Sequence, residues 1–376
     1  MGSEMCIRDS DYINSLQLLS TLGLVVIGLV VAAIWGGAPV DGIQPKLEIA
    51  APPLEQSLDM KQLPMVFPFL FITIACGAIS GFHCLVSSGT SSKQLRCETD
   101  ARFVGFGSML TEGFLAVLVI LACVAGLGLG IAGADGAVLL GSDAWDARYG
   151  GWNTMGLGAK VGAFVDGSAN FLKAMGIPAK YATALMGVFV ASFAATTLDT
   201  ACRLQRYVVQ ELAACFLRKK DTDDGDKPFA LSANPLSWLV NKHGATIFAV
   251  AIAWWMASLP AAAGKPAGTG GMILWPLFGA TNQLLGGLAF MVIIFWMKRQ
   301  KLPVWFVMIP AFFMLVLPAW AMAYQIFVAA IGSDVSWIEQ ERWLLVGIGI
   351  TSLVLELWMI IEAVAAWRRL GSEKKA

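Results

Sequence analysis

Uncharged, apolar runs of about 20 residues recur along this chain, and each is long enough for one α-helix to cross the hydrocarbon core of a bilayer. Only 14% of the 376 residues are charged, against about 25% in a typical soluble domain. This composition disfavours a soluble enzyme, a disulfide scaffold and a disordered chain. We therefore predict an all-α polytopic membrane protein whose partner is the lipid bilayer. About eight transmembrane helices are expected, at Leu16–Gly36, Pro64–Leu85, Phe106–Ile131, Tyr181–Cys202, Ala245–Ala263, Met272–Met297, Pro303–Val328 and Trp343–Trp367.

Positive charge is distributed unevenly between the loops, and this distribution predicts the orientation of the chain. Most of the 26 Lys and Arg residues follow the second, fourth, sixth and eighth predicted spans. Cytoplasmic loops carry such an excess, so both termini are predicted to be cytoplasmic. The 26 Asp and Glu residues balance the charge overall, and no nucleic-acid partner is expected.

The predicted organisation is a single transmembrane domain over residues 16–376. Residues 1–15 lack the apolar core of a signal peptide, and we interpret them as a leader foreign to the native chain. The external connection at 133–180 is long for a simple connector, which predicts a structured or gating segment. The charged cytoplasmic loop at 215–244 is typical of a solvated linker.

Residues that could hold a metal or a cofactor are scarce. His83 and His243 are the only histidines, and the seven cysteines include no CxxC pair. The GxGxxG pattern of Gly128–Gly133 ends an apolar helix instead of joining a strand to a helix. We therefore predict no metal site, no cofactor and no enzymatic activity.

The second predicted span changes from apolar to polar near its middle, which predicts a broken helix. Within a membrane, unwound backbone is tolerated where it is buried in protein or lines a cavity, and transporters use such breaks as substrate sites. The alternative is a close-packing Gly-xxx-Gly face followed by a Ser/Thr run that caps the helix. The candidate substrate-binding residues here are Gly77, Ser80, Gly81, His83, Ser87 and Ser88.

The fourth predicted span carries hydroxyl groups and a carboxylate along one stretch, at Thr196, Thr197, Asp199 and Thr200. Such oxygen ligands suit Na⁺, and an intramembrane Asp is also a candidate proton carrier. These residues are therefore predicted to bind the coupling ion, Na⁺ or H⁺. The alternative is a structural pair between Asp199 and Arg203 at the cytoplasmic face.

Polar residues also interrupt three other apolar spans, the third, the sixth and the eighth. Asn282 and Gln283 lie inside the sixth span and are candidates for substrate binding, with interhelical hydrogen bonding as the alternative. Glu112 is a further candidate for ion coupling. Glu356 and Glu362 are costly in a membrane, but the sequence names no partner or role for either.

These polar segments resemble the carbon starvation protein family of bacterial inner-membrane transporters. The matching stretches are Pro68–Leu95, Ala101–Val119, Phe193–Leu212 and Trp275–Ala289. The resemblance implies uptake of small carbon sources, pyruvate or short peptides, driven by a cation gradient across the bacterial inner membrane. It also implies that the chain corresponds to the C-terminal half of a longer protein, so that an N-terminal half is a missing partner.

At fold level the chain is similar to the second inverted repeat, with extra helices, of a leucine-transporter-like fold. That resemblance implies that the broken helix binds substrate, through Ser80 and His83, and that Thr196 and Thr197 bind the coupling ion. A lone second repeat is expected to be inactive in transport. The alternatives are an ion or solute channel, although no repeated filter motif occurs, and a non-transporting membrane protein.

Overall fold

The computed structural model describes the chain except at residues 1, 53–65, 134–135, 151–156, 219–234, 261–265, 331–334 and 373–376. Within that described part the protein is almost entirely helical. The strands of the described part are two, β1, Ile131–Ala132, and β2, Val138–Leu139, which form a short antiparallel hairpin.

Thirteen α-helices are numbered here in chain order through the described residues. They are α1 Gly2–Trp35, α2 Phe71–Ala78, α3 Gly81–Val86, α4 Ser92–Gln94, α5 Asp100–Leu121, α6 Gly141–Tyr149, α7 Leu157–Ala174, α8 Ala179–Arg218, α9 Pro235–Val240, α10 Lys242–Ser258, α11 Trp275–Arg299, α12 Trp305–Phe327 and α13 Trp343–Ser372. Short π-helical turns occur at Val66–Leu70, Ser87–Ser91 and Ala122–Gly126, and 3₁₀ turns occur at Leu127–Leu129 and Gly270–Ile273.

Seven of the described helical segments are long and apolar enough to cross a membrane, and each corresponds to a predicted span. The prediction of an all-α, multi-pass membrane protein is confirmed. The remaining prediction, Ala245–Ala263, corresponds to α10. At 17 residues α10 is about 26 Å long, shorter than a hydrocarbon core of about 30 Å.

The described residues fall into two compact units. Unit 1 comprises Met1–Leu58 and Leu95–Ala201, and unit 2 comprises Asp59–Gln94 and Cys202–Ala376. Whether both belong to one domain over 16–376 stays a prediction, as does the foreign origin of residues 1–15. Most of the charged loop at 215–244 lies outside the described residues.

Unit 1 is built around α7, which lies in the segment predicted as an external connection. Its Ala169, Phe171 and Leu172 are fully buried. Close approach requires glycine: a Cβ on Gly167 would lie 2.0 Å from the carbonyl oxygen of Ala122. The connection at 133–180 therefore supplies core helix packing to its unit, while a gating role stays a prediction.

A polar side chain on α7 also holds the turns that follow α5. Asn170 Nδ2 donates to the carbonyl oxygens of Gly126, at 2.8 Å, and Gly130, at 2.9 Å. Lys173 Nζ donates to Asn170 Oδ1 at 2.8 Å. Burial lowers the pKa of Lys173, and the nearby Asp166 carboxylate opposes that shift.

Unit 2 is built on α11 and α12, which pack against each other along their lengths, with α13 and the α2–α3 segment packed against them. Leu284 of α11, Met322 of α12 and Val346 of α13 belong to one apolar core. On another side, Ile72 of α2 packs with Ala321 of α12. The unit thus presents the broken helix directly to the polar segment of α11.

Candidate functional site

The second predicted span is broken between α2 and α3, as its composition predicts. α2 ends at Ala78, and Ile79 and Ser80 then adopt extended backbone conformations, with φ/ψ of −138°/105° and −110°/125°. Ser80 caps α3, because its Oγ accepts a hydrogen bond from the His83 backbone N–H at 3.4 Å. Two residues of unwound backbone therefore separate two helices inside one span.

Asn282 of α11 bridges this break with its side-chain amide. Its Oδ1 accepts from the Phe82 backbone N–H at 2.8 Å, and its Nδ2 donates to Cys76 Sγ at 3.1 Å. Ser80 Oγ lies 3.3 Å from Oδ1 and 3.2 Å from Nδ2 of the same amide. Asn282 thus joins the end of α2, the cap residue and the first turn of α3, which makes it a positioning residue for the break.

Gly81 brings α3 into direct backbone contact with α11. A Cβ at Gly81 would lie 2.2 Å from the carbonyl oxygen of Asn282 and 2.6 Å from the backbone nitrogen of Gly286. At Gly77, a Cβ would meet nothing within 4 Å. The alternative interpretation required both glycines of the Gly-xxx-Gly pair to pack closely against another helix. Of the two, only Gly81 does so.

Gln283 is fully buried, yet neither Oε1 nor Nε2 of its amide has a hydrogen-bond partner among the described residues. Gln283 follows Asn282 and lies one turn before Gly286 and Gly287. Gly286 faces the break, and the Cβ position of Gly287 faces Leu315 of α12. A buried amide without partners costs roughly 1–3 kcal/mol. Gln283 thus places a buried amide without partners next to the residues of α11 that pack on the break.

The hydroxyl groups after the break are used locally. Ser87 Oγ and Ser88 Oγ donate to the carbonyl oxygen of Cys84, at 2.9 and 3.0 Å. The π-helical turn Ser87–Ser91 follows, and such turns occur often at functional sites. The His83 side chain is exposed in unit 2.

The residues predicted to couple an ion belong to unit 1. Thr196 Oγ1 and Thr197 Oγ1 donate to the carbonyl oxygen of Phe193, at 2.8 and 3.2 Å, and Thr200 Oγ1 donates to that of Thr196, at 3.1 Å. Because donation occupies only the hydrogen, their oxygens retain lone pairs for a cation. Asp199 and Glu112 are exposed in this unit, and their coupling roles stay predictions.

Two contributors to the site carried no signal in the sequence. Cys76 accepts from Asn282 through its sulfur, and Phe82 contributes its backbone N–H. A cysteine in an apolar run is an ordinary packing residue, and a backbone donor is independent of side-chain type. The first N–H groups of any helix lack partners within that helix. This general rule was the only indication that the Phe82 N–H would have a partner elsewhere.

Comparison with known proteins places the chain in a family. The family model described as carbon starvation protein CstA matches residues 5–321. The chain belongs to the carbon starvation protein family. The prediction made from the polar segments is confirmed in this respect.

Several curated relatives are similar to the chain. It is 31% identical over 313 residues to the pyruvate/proton symporter BtsT of Escherichia coli, covering 70% of this chain and 41% of the relative. It is 34% identical over 281 residues to the peptide transporter CstA of Campylobacter jejuni, covering 67% and 37%. With the peptide transporter CstA of Helicobacter pylori strain J99 it shares 31% identity over 322 residues, covering 77% and 43%.

The chain therefore spans well under half the length of the curated relatives it matches. No solved structure matches it.

Proposed function

We propose that the protein is a secondary active transporter that takes up small carbon sources, pyruvate or short peptides, in the response to carbon starvation. The observation that carries the proposal is a broken helix, held open by Asn282, beside the buried and unpartnered amide of Gln283. The names of the relatives, a pyruvate/proton symporter and peptide transporters, support the two substrate classes.

The chemistry of the site suits the group that both substrate classes share, a carboxylate. Gln283 Nε2 can donate to a carboxylate oxygen, and Oε1 can accept from the N–H of a peptide. Ile79 and Ser80 supply the unwound backbone, Gly81 begins α3, and His83 lies on the first turn of α3. Because Gln283 is buried, substrate access requires α2 or α12 to move away from α11.

The coupling ion in this proposal is Na⁺ or H⁺, bound in unit 1 through Thr196, Thr197, Thr200 and Asp199, with Glu112 as a further carboxylate. Hydroxyl and carboxylate oxygens suit Na⁺, and a carboxylate alone can carry a proton. The name of the Escherichia coli relative, a proton symporter, supports H⁺.

The proposed setting is the bacterial inner membrane, with both termini of this chain cytoplasmic. We also propose that an N-terminal half completes the transporter and that the chain contributes the second repeat of a leucine-transporter-like fold. Under this proposal the chain alone does not transport. Expression from the complete gene is therefore the proper form for uptake assays.

Replacing Asp199 with asparagine is expected to abolish ion-driven uptake while leaving membrane insertion intact, because the amide can neither carry a proton nor neutralise a cation. Uptake of labelled pyruvate and a labelled dipeptide would be measured in transport-deficient cells, with and without a protonophore and with Na⁺ replaced. The control is Glu211→Gln, which removes an exposed carboxylate from the same helix.

Saturable uptake that collapses with the ion gradient would support the transporter. A flux that does not saturate would favour a channel and contradict the proposal. Normal coupled uptake by the Asp199→Asn variant would remove that residue from the mechanism.

A further inference from the structure

Glu356 lies in the middle of the face that α13 packs against the rest of unit 2. Gly349, two turns earlier on the same face, approaches α12: a Cβ there would lie 2.9 Å from Ile326 Cδ1. Trp367, three turns after Glu356, packs on Phe295 of α11, with ring centroids 6.0 Å apart. Positions separated by 7 and 11 residues share a helix face, so Glu356 lies on the face of α13 that packs against α11 and α12.

Glu356 is a buried residue at this position, and its carboxyl group has no partner among the described residues. The residue is 6% exposed, and it has no hydrogen bond or ion pair within the described part of the chain. Its neighbours along the same face, Leu345, Val346 and Gly349, are all buried. This differs from Glu362 on the same helix, which is exposed.

No titratable or charged group of the two facing helices lies level with Glu356. The charged residues of α11 are Lys298 and Arg299, at its C-terminal end. Because Lys298 stacks on Trp367, it is about 16 Å along α13 from Glu356. The titratable residue of α12 is Tyr324, which lies two residues before the Ile326 that contacts Gly349 and about 8 Å along the helix axis from the level of Glu356. On α13 itself, Arg368 and Arg369 lie still further along the helix.

An ionised carboxylate in such an interface loses its hydration and gains no compensating charge, which costs several kcal/mol, whereas a neutral acid avoids most of that penalty. We propose that Glu356 is a proton-binding site, holding an exchangeable proton while α13 is packed against α11 and α12. The reaction is the addition of one proton from water to one carboxylate oxygen. Separation of α13 from its neighbours hydrates the group and releases that proton.

The transport consequence of this site rests on the proposed function, whereas the protonation itself does not. Such a group is neutral when the helices are packed and charged when they part. In a proton-coupled transporter it would therefore link proton movement to helix movement. Glu356 belongs to unit 2, whereas the hydroxyl-rich stretch of α8 predicted to bind the coupling ion belongs to unit 1.

Infrared difference spectroscopy tests the protonation directly, on the 376-residue chain in lipid nanodiscs. Wild type is expected to show the carbonyl band of a buried carboxylic acid that shifts in D₂O and is lost as the pH is raised. Glu356→Gln should remove this band, and Glu362→Gln should leave it. Since glutamine resembles the neutral acid in shape, Glu356→Gln should remain folded.

The proposal is overturned if the band is the same in wild type and Glu356→Gln, or if it responds to neither pH nor D₂O. Should Glu356→Gln fail to fold, carbodiimide labelling of wild type replaces it, since the reagent attacks protonated carboxyls in apolar surroundings. Mass spectrometry should then find the adduct on Glu356 at acidic pH, and an adduct confined to Glu362 would contradict the site.

Uptake assays from the complete gene separate this inference from the proposed function. The wild type could show the pH-dependent infrared band of Glu356 and yet take up no substrate. That result would overturn the proposed transporter function and support the proton-binding site. With active wild type, Glu356→Gln should lose proton-driven uptake at least tenfold relative to Glu362→Gln. Equal uptake by the two variants would overturn the coupling role.

Discussion

Replacing Gly81 with alanine is expected to disrupt unit 2 more than any other single methyl addition at the helix break. The new Cβ would lie 2.2 Å from the carbonyl oxygen of Asn282 and 2.5 Å from Leu285 Cβ. Overpacking usually costs about 1–3 kcal/mol, and we expect the upper part of this range because the obstructing atoms are backbone and cannot rotate away. A lowered unfolding temperature of the purified protein in detergent would measure the effect.

Gly77→Ala is the matched control for this prediction. It adds the same methyl group four residues earlier, where nothing lies within 4 Å of the new Cβ. Because Gly77 lies within α2, alanine should stabilise the helix by up to about 1 kcal/mol. If the two variants unfolded at the same temperature, the close approach of α3 to α11 would be wrong.

Removing the side-chain amide of Asn282 is expected to have the second largest effect. Asn282→Ala leaves the Phe82 N–H without its acceptor and Ser80 Oγ without its α11 partner. An unpaired buried donor costs about 1–3 kcal/mol, and the break should lose its fixed geometry. We expect a lower unfolding temperature and weakened substrate uptake, measured on the same preparation and in the same cells.

The control for Asn282→Ala is Thr281→Ala, at the adjacent position of α11. Thr281 Oγ1 donates to the carbonyl oxygen of Leu277, at 2.9 Å, so its hydroxyl serves its own helix. Its loss should change stability and uptake little. Equal effects of the two substitutions would show that the bridge from Asn282 does not position the break.

The spans and the break were predictable because local composition determines both. Runs of about 20 uncharged residues signal membrane helices at any position, and the loss of apolar character after Cys76 signals unwinding. Neither signal depends on distant parts of the chain. This explains why seven predicted spans match described helices while the polar middle of the second span forms the break.

The partners of the break were not predictable, because they come from residues about 200 positions away in the chain. Asn282 was identified as polar, but whether it faces a ligand or Ser80 depends on how α11 packs. Equally, Gly77 and Gly81 are equivalent in sequence, and only packing distinguishes them. The core role of α7 was missed since Lys160, Asp166 and Lys173 make it too polar to resemble a span.

The most direct test of the central claim is equilibrium binding of labelled pyruvate and a labelled dipeptide to reconstituted protein from the complete gene. Wild type, Gln283→Leu and Thr281→Ala would be compared. If substrate binds beside the helix break, Gln283→Leu should weaken binding at least tenfold, since a hydrogen bond to a charged carboxylate contributes about 1.5–3 kcal/mol. Thr281→Ala should bind as wild type. Unchanged affinity in Gln283→Leu would place the substrate elsewhere and contradict the proposed site.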